Sequence, residues 1–317
     1  MSLSIDPEVA AARDRFFGEP AKEFEPLPIG DIDSRRALFE SMHAMTDVAQ
    51  PFPDDVVIKD FFTIASDGTQ ILLRWYAKAG AKPGPAVLYF HGSGLILSRV
   101  ELHDGTVARH VSASGVPFLS VEYRKAPEFP HPTPVEDGYA ALTWLAEHAD
   151  DLGVDPARIA VMGDSGGGTI AAALALLARD RGGPAIARQI LLYPELDDRT
   201  TTPDPQLAGL INWAYEDNIT SWRAMLGDAA GGPDVPAYAA PARATNLAGL
   251  PPLYIEAHEL DILRDEAIEY ARRCLDAGVS CELHVFPGVP HAFEVVAFDT
   301  DVARRGMAER IRVLRSL

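Results

Sequence analysis

The sequence predicts an α/β protein, a mostly parallel sheet flanked by helices and covered at one end by a helical cap. Short apolar runs alternate with longer helical patterns: AVLYF (86–90), VPFLSVEY (116–123), RIAVMG (158–163), QILLY (189–193), PLYIEA (252–257) and CELHVF (281–286). Such alternation is the mark of βαβ units, and runs that are apolar at nearly every position fit strands covered on both faces. Ahead of them, VVIKDFFTIASDGTQILLRWYA (56–77) holds two strand-like runs around Asp67-Gly68, a hairpin signal that adds antiparallel strands at one edge. Two stretches break the rhythm. Residues 1–50 show helical patterns and no strand, and residues 196–248 are too long for a structureless loop, so they are expected to hold helices of their own.

The helices follow from their own signals. After Gly163, SGGGTIAAALALLARDRGG is apolar almost all round until Arg179 and is stopped by Gly182-Gly183, which predicts a helix buried against the sheet. DEAIEYARRCLDAG opens with Asp265 and Glu266 in its first turn and ends at Gly278.

Composition narrows the function classes. The 317 residues, 47% hydrophobic, suffice for a large core. A net charge of -18, from 28 basic and 46 acidic residues, argues against nucleic acid or an anionic membrane as partner, because both would repel the chain. Cys274 and Cys281 are too few for a disulfide framework or a zinc site and are expected as reduced thiols. No apolar run approaches the ~18 residues of a membrane span, and the N-terminus lacks an apolar leader core. A soluble cytoplasmic protein is the expectation.

Gly163-Asp164-Ser165-Gly166-Gly167 matches G-x-S-x-G between a strand and a helix, where the motif needs to be. A serine on so sharp a turn requires small neighbours, and its hydroxyl then projects at a helix N-terminus that favours developing negative charge. Serine is a poor nucleophile unless a base takes its proton and a third group orients that base. Where this motif supplies the nucleophile, an acid and then a histidine follow along the chain. His258-Glu259-Leu260-Asp261 leaves the end of a predicted strand and offers Asp261 as the acid, with Glu259 and Asp265 as rivals. Pro287-Gly288-Val289-Pro290-His291 forms a stiff loop after the next strand, making His291 the base.

An earlier loop, His91-Gly92-Ser93-Gly94, follows the run AVLYF. Attack on an ester carbonyl creates an oxyanion, and small residues let backbone N–H groups approach it. The backbones of Ser93 and Gly94 and of Gly166, next after the serine, are the candidate donors, with His91 and Gly92 as structural members of the loop.

Together HGSG, VEYRKAPEFPHPTPVEDGYAALTWL (121–145), GDSGGG, ELDILRDEA (259–267) and PGVPHAF resemble the bacterial hormone-sensitive lipase family of carboxylesterases, in that family's order and spacing. YPELDDR with YAAPARATNLAGLPPLY is most similar to its heroin-esterase-like members. The resemblance implies an α/β-hydrolase fold with N-terminal cap helices at 1–50, core at 51–195, a cap insertion at 196–248 and the rest of the core at 249–317. It also implies Ser165, Asp261 and His291 as a triad, Ser93, Gly94 and Gly166 as oxyanion donors, small esters as substrates, and no cofactor or metal.

Three positions depart from the family pattern. Ser93 stands where the middle glycine of HGGG is usual, Gly166 where alanine is usual, and Ile262 replaces a proline after the acid. The first puts the loop geometry in question, the second leaves the needed N–H in place, and the third is expected to loosen the turn that holds Asp261. Leu95 replaces an aromatic and is expected to widen the pocket mouth. Trp213, Tyr215 and Trp222 are candidates for the pocket lining, or for the cap's own small core.

The expected activity is cofactor-free hydrolysis of short to medium acyl esters. Lactones, carbamates or amides on the same triad, or a non-catalytic small-molecule receptor like the gibberellin receptors that resemble this family, are the alternatives. The reading leaves room for a homodimer.

Overall fold

A computed structural model describes residues 3–18, 25–50, 52–80 and 82–317. Its sheet has eight strands: β1 (Val56–Ile64), β2 (Gln70–Lys78), β3 (Gly84–Phe90), β4 (Phe118–Val121), β5 (Val154–Asp164), β6 (Arg188–Leu192), β7 (Leu253–Leu260) and β8 (Cys281–Pro290). They lie in the order β1-β2-β4-β3-β5-β6-β7-β8. β1, β2 and β4 pair antiparallel, and every pair from β4 through β8 is parallel. The expected edge hairpin is present: Ala65 and Thr69 close the turn, Gly68 takes φ 86°, and Asp67 accepts the Thr69 N–H.

Nine helices are described: α1 (Pro7–Phe17), α2 (Ile32–Ala49), α3 (Asp104–Ser114), α4 (Thr133–Glu147), α5 (Ala149–Leu152), α6 (Gly166–Arg181), α7 (Tyr215–Leu226), α8 (Arg264–Asp276) and α9 (Asp301–Arg315). Alternate strand residues feed two cores. Leu88, Val161, Leu191 and Ile255 pack with α4, α6 and α8, while Val87, Ala160, Met162 and Ile190 pack with α3 and α9. This two-sided burial explains why the strands read as unbroken apolar runs. As expected, α6 is buried from Gly166 to Ala178, and it ends at Gly182 in the left-handed region. None of the described helices is long and apolar enough to cross a membrane.

One strand differs from expectation. The run 116–123 forms only the short strand β4, because Tyr123 leaves the ladder and turns its hydroxyl to the His91 carbonyl. Glu266 stands in the first turn of α8, as expected. It is buried and accepts the N–H groups of Leu196 (2.5 Å) and Asp197 (3.2 Å), fixing the chain after β6.

Of residues 1–50, positions 1–2 and 19–24 lie outside the described residues, as does residue 51. α1 packs Val9 and Ala12 against Phe286, Val289 and Phe293, at the end of β8. From α2, Arg35 forms a buried ion pair with Asp217 of α7 (2.8 Å), and Arg36 donates to the Ile96 carbonyl (2.9 Å). In 196–248, α7 is accompanied by three short 3-10 turns. The last part of that segment runs along the core helices: Arg179 of α6 donates to the carbonyls of Asn246 and Ala248, and Arg273 of α8 to those of Ala242 and Ala244.

Candidate active site

Ser165 stands between the end of β5 and the first residue of α6, with φ 52° and ψ -124°. So tight a turn is possible because its flanks are bare. A Cβ on Gly163 would lie 2.2 Å from the Gly167 carbonyl oxygen, and one on Gly167 would lie 2.1 Å from that of Phe90. The strained φ of a non-glycine residue is what points Oγ away from the sheet.

The sequence-predicted acid and base meet it. His291 Nε2 is 2.9 Å from Ser165 Oγ, and His291 Nδ1 is 2.6 Å from Asp261 Oδ2. All three side chains are buried. Because Asp261 is an acceptor when ionised, Nδ1 carries a proton and Nε2 of the neutral ring is the acceptor for the serine hydroxyl. Burial pushes the His291 imidazole toward its neutral form; the charge and hydrogen bond of Asp261 outweigh it, leaving the proton affinity above the usual histidine value.

The rival acids have other work. Glu259 Oε2 accepts the Gly288 N–H (2.7 Å), bracing the loop that carries His291, and Asp265 is exposed beside Arg264. The turn at Asp261 is not loosened by Ile262. Asp261 Oδ1 accepts the Leu263 N–H (3.0 Å), its carbonyl accepts that of Arg264 (3.2 Å), and Ile262 is buried.

The His91–Gly94 loop lies alongside. Asp164 Oδ2 accepts the Gly92 N–H (3.0 Å) while Oδ1 accepts the Tyr89 hydroxyl (2.5 Å). Ser93 does not aim its hydroxyl at Ser165. Tyr123 donates to the His91 carbonyl (2.7 Å), so its one proton is taken, and the 2.6 Å contact with Ser93 requires Ser93 to donate. Ser93 Oγ in turn accepts the Leu95 N–H (2.9 Å). A directed chain from Leu95 through Ser93 and Tyr123 to His91 thus locks the loop. His91 is buried and stacked on Tyr123 with ring centres 4.6 Å apart.

Gly94 and Gly166 are required by close approach. Gly94 has φ 47°, and a Cβ there would sit 2.3 Å from the Trp213 indole. A methyl on residue 166 would lie 2.7 Å from Leu95 N and 2.9 Å from Gly94 N. Alanine at 166 is therefore not an easy substitute: this loop placement demands glycine.

Ser165, His291, Ser93, Gly94 and Trp213 share a cavity of about 630 Å3, further lined by Phe39, His43 and Leu97. Leu95, Tyr215 and Trp222 do not reach it. Leu95 takes φ 61° and turns its side chain into the core. Trp222 is buried with Met225 and Val235, and the Tyr215 hydroxyl accepts the Asp204 N–H (3.0 Å).

Several contributors were not singled out from sequence. His258 is fully buried and donates from Nδ1 to the Pro290 carbonyl (3.0 Å), steadying the residue before His291. Asn212 Nδ2 donates to the His291 carbonyl (3.1 Å). Glu195 is fully buried behind Ser165, whose carbonyl accepts the Glu195 N–H (3.1 Å). None of these carries a spacing signal: Asn212 and Glu195 are single polar residues outside helix and strand, and His258 is one polar position near the end of β7. Burial pushes the free thiols of Cys274 and Cys281 up to about 12 and 11, so neither is an activated nucleophile.

This arrangement can pass a proton from Ser165 to His291, and Gly94 lines the same cavity as both. Residues 87–295 match the family described as alpha/beta hydrolase fold. Esterase LipI of Mycobacterium tuberculosis is 42% identical over 232 residues, 70% of this chain and 71% of that protein. Ethyl acetate hydrolase of Pseudomonas putida is 31% identical over 99% of both chains. The structure of a bacterial heroin esterase superposes with a TM-score of 0.88 at 40% identity, covering 99% of this chain and 98% of that one. The chain belongs to the hormone-sensitive-lipase-like family of α/β-hydrolases and is a carboxylic ester hydrolase.

Proposed function

We propose that the protein is a serine esterase for small esters of short to medium acyl chain, acting through an acyl-enzyme on Ser165. The observation that carries the reading is the continuous hydrogen-bonded line Asp261–His291–Ser165, which opens into the cavity beside Gly94. Ser165 Oγ attacks the ester carbonyl as His291 Nε2 takes its proton, and Asp261 stabilises the imidazolium. The N–H groups of Ser93, Gly94 and Gly166 hold the oxyanion, each donor supplying on the order of 3 kcal/mol of barrier reduction. His291 then protonates the leaving alcohol, and water repeats the sequence to free the acid. The steps need no metal or cofactor.

A cavity of about 630 Å3 suits a small ester with both its halves enclosed. Trp213 lies against Gly94 with its ring centre 6.1 Å from that of His291, so it bounds the space nearest the reacting carbonyl. The name of the full-length relative, ethyl acetate hydrolase, supports short acyl and alkyl groups. The net charge of -18 disfavours anionic lipid surfaces and nucleic acid as partners. A non-catalytic receptor would have no use for a base held between acid and serine.

Rates over nitrophenyl esters of increasing acyl length, with a lactone and an amide alongside, test the reading. Activity greatest on the shorter esters and lost in Ser165→Ala is expected; full activity in that variant would overturn it.

A further inference from the structure

Glu195 and Ser221 meet behind the catalytic loop in an arrangement that the steps above do not use. Glu195 follows β6, and Ser221 lies on α7; both are fully buried. Ser221 Oγ is 2.6 Å from the Gly94 carbonyl oxygen and 2.8 Å from Glu195 Oε1. A serine hydroxyl has one proton, and a carbonyl oxygen can only accept. If Ser221 donates to Gly94, its contact with Glu195 needs a proton from the carboxyl group. Glu195 must then be a neutral carboxylic acid.

The surroundings agree. Glu195 Oε2 is buried with no hydrogen-bond partner, a severe penalty for a carboxylate and a mild one for the acid. The titratable groups facing it are His291 and Asp261 at the ends of β8 and β7, Asp217 on α7, Glu266 on α8, and Tyr123 after β4. Among these the acids outnumber the one potential cation, His291, which rests neutral in the proposed cycle. Burial, with the nearby acids, pushes the Glu195 carboxyl up to about 7.

We propose that Glu195, as a neutral acid, is a positioning residue that donates to Ser221 so that Ser221 holds the Gly94 peptide in place for the oxyanion. The inference rests on Gly94 being an oxyanion donor, as argued above. Ionised Glu195 has no proton to give and competes for that of Ser221, so the Gly94 carbonyl loses its tie. No atoms are exchanged with substrate; only the direction of two hydrogen bonds changes.

The experiment follows kcat and KM for a nitrophenyl ester from pH 5 to 9 in the wild type, Glu195→Ala and Glu195→Gln. The wild type should show kcat descending above about pH 7, with KM within twofold. Removing the proton donor in Glu195→Ala should lower kcat about tenfold at pH 6, as expected for weakening one transition-state contact without losing ground-state binding. Glu195→Gln, whose amide donates at every pH, should recover kcat and abolish the alkaline descent. An unchanged descent in Glu195→Gln would overturn the proposal. A second measurement does not depend on activity: the infrared difference between wild type and Glu195→Gln at pH 6 should contain a protonated carboxyl band, and its absence would also overturn the proposal. Should Ser165→Ala stay active, the underlying esterase mechanism fails, and the infrared result still stands or falls by itself.

Discussion

Ser165, Asp261 and His291 each stand on the turn that follows their own strand, whereas the loop from His91 to Leu95 is held by residues scattered through the chain. β7 adjoins β8 and lies one strand from β5, so three strand ends bring Ser165, Asp261 and His291 together with little help. The loop depends on Tyr123 after β4, Asp164 at the end of β5, Trp213 ahead of α7 and Ser221 within it. The proposed proton relay is thus set by the sheet, and the proposed oxyanion site by packing around it. Changes to the first should stop chemistry outright, while changes to the second should grade it.

Asp261→Asn tests the relay arm and should have the largest effect, a fall in kcat of roughly 10⁴, since His291 would lose the partner that fixes its tautomer. The sign of its pH effect follows from the shift. Asp261 raises the proton affinity of His291, and activity needs His291 neutral, so the rising limb of the wild-type profile lies above the ordinary histidine value. In Asp261→Asn that limb should move to lower pH; a limb that stays in place would break the assignment.

Gly94→Ala tests the loop arm and should cost kcat roughly 10²–10³, because the new methyl meets Trp213 and the residue must keep a positive φ. Loss appearing mainly in KM would contradict its place at the oxyanion. Ser93→Gly should act least on catalysis. With the hydroxyl gone, the buried Leu95 N–H loses its acceptor, a stability loss of about 1–3 kcal/mol by thermal unfolding. The order of preference among esters should not change, since Ser93 Oγ faces Tyr123; a reordered series would sharpen a role for that hydroxyl in substrate choice.

How far the sequence could be read follows the same division. Strand alternation, the Asp67-Gly68 hairpin and the buried helix after Gly163 were legible because periodicity and turn chemistry act locally. Ser165, Asp261 and His291 were legible for the same reason, each sitting in a short motif beside a strand. Leu95 was not, because nothing in its type announces a positive φ that sends it into the core. For Trp213, Tyr215 and Trp222 the sequence left pocket and core open, since a cavity wall and a core draw on the same aromatic residues; of the three, Trp213 lines the cavity. That position 166 has no room for alanine was not legible either, because the loop backbone 2.7 Å from where a methyl would lie comes from a distant part of the chain. Glu195 and His258 act across long sequence separations, and no local pattern marks such contacts.

The most direct measurement is to quench the reaction of a nitrophenyl ester within the first turnover and locate the acyl group by peptide mass spectrometry. One acyl group is expected on the peptide containing Ser165, formed with a burst of nitrophenol and absent from Ser165→Ala. An acyl group on another residue, or hydrolysis in Ser165→Ala at the wild-type rate, would contradict the acyl-enzyme mechanism.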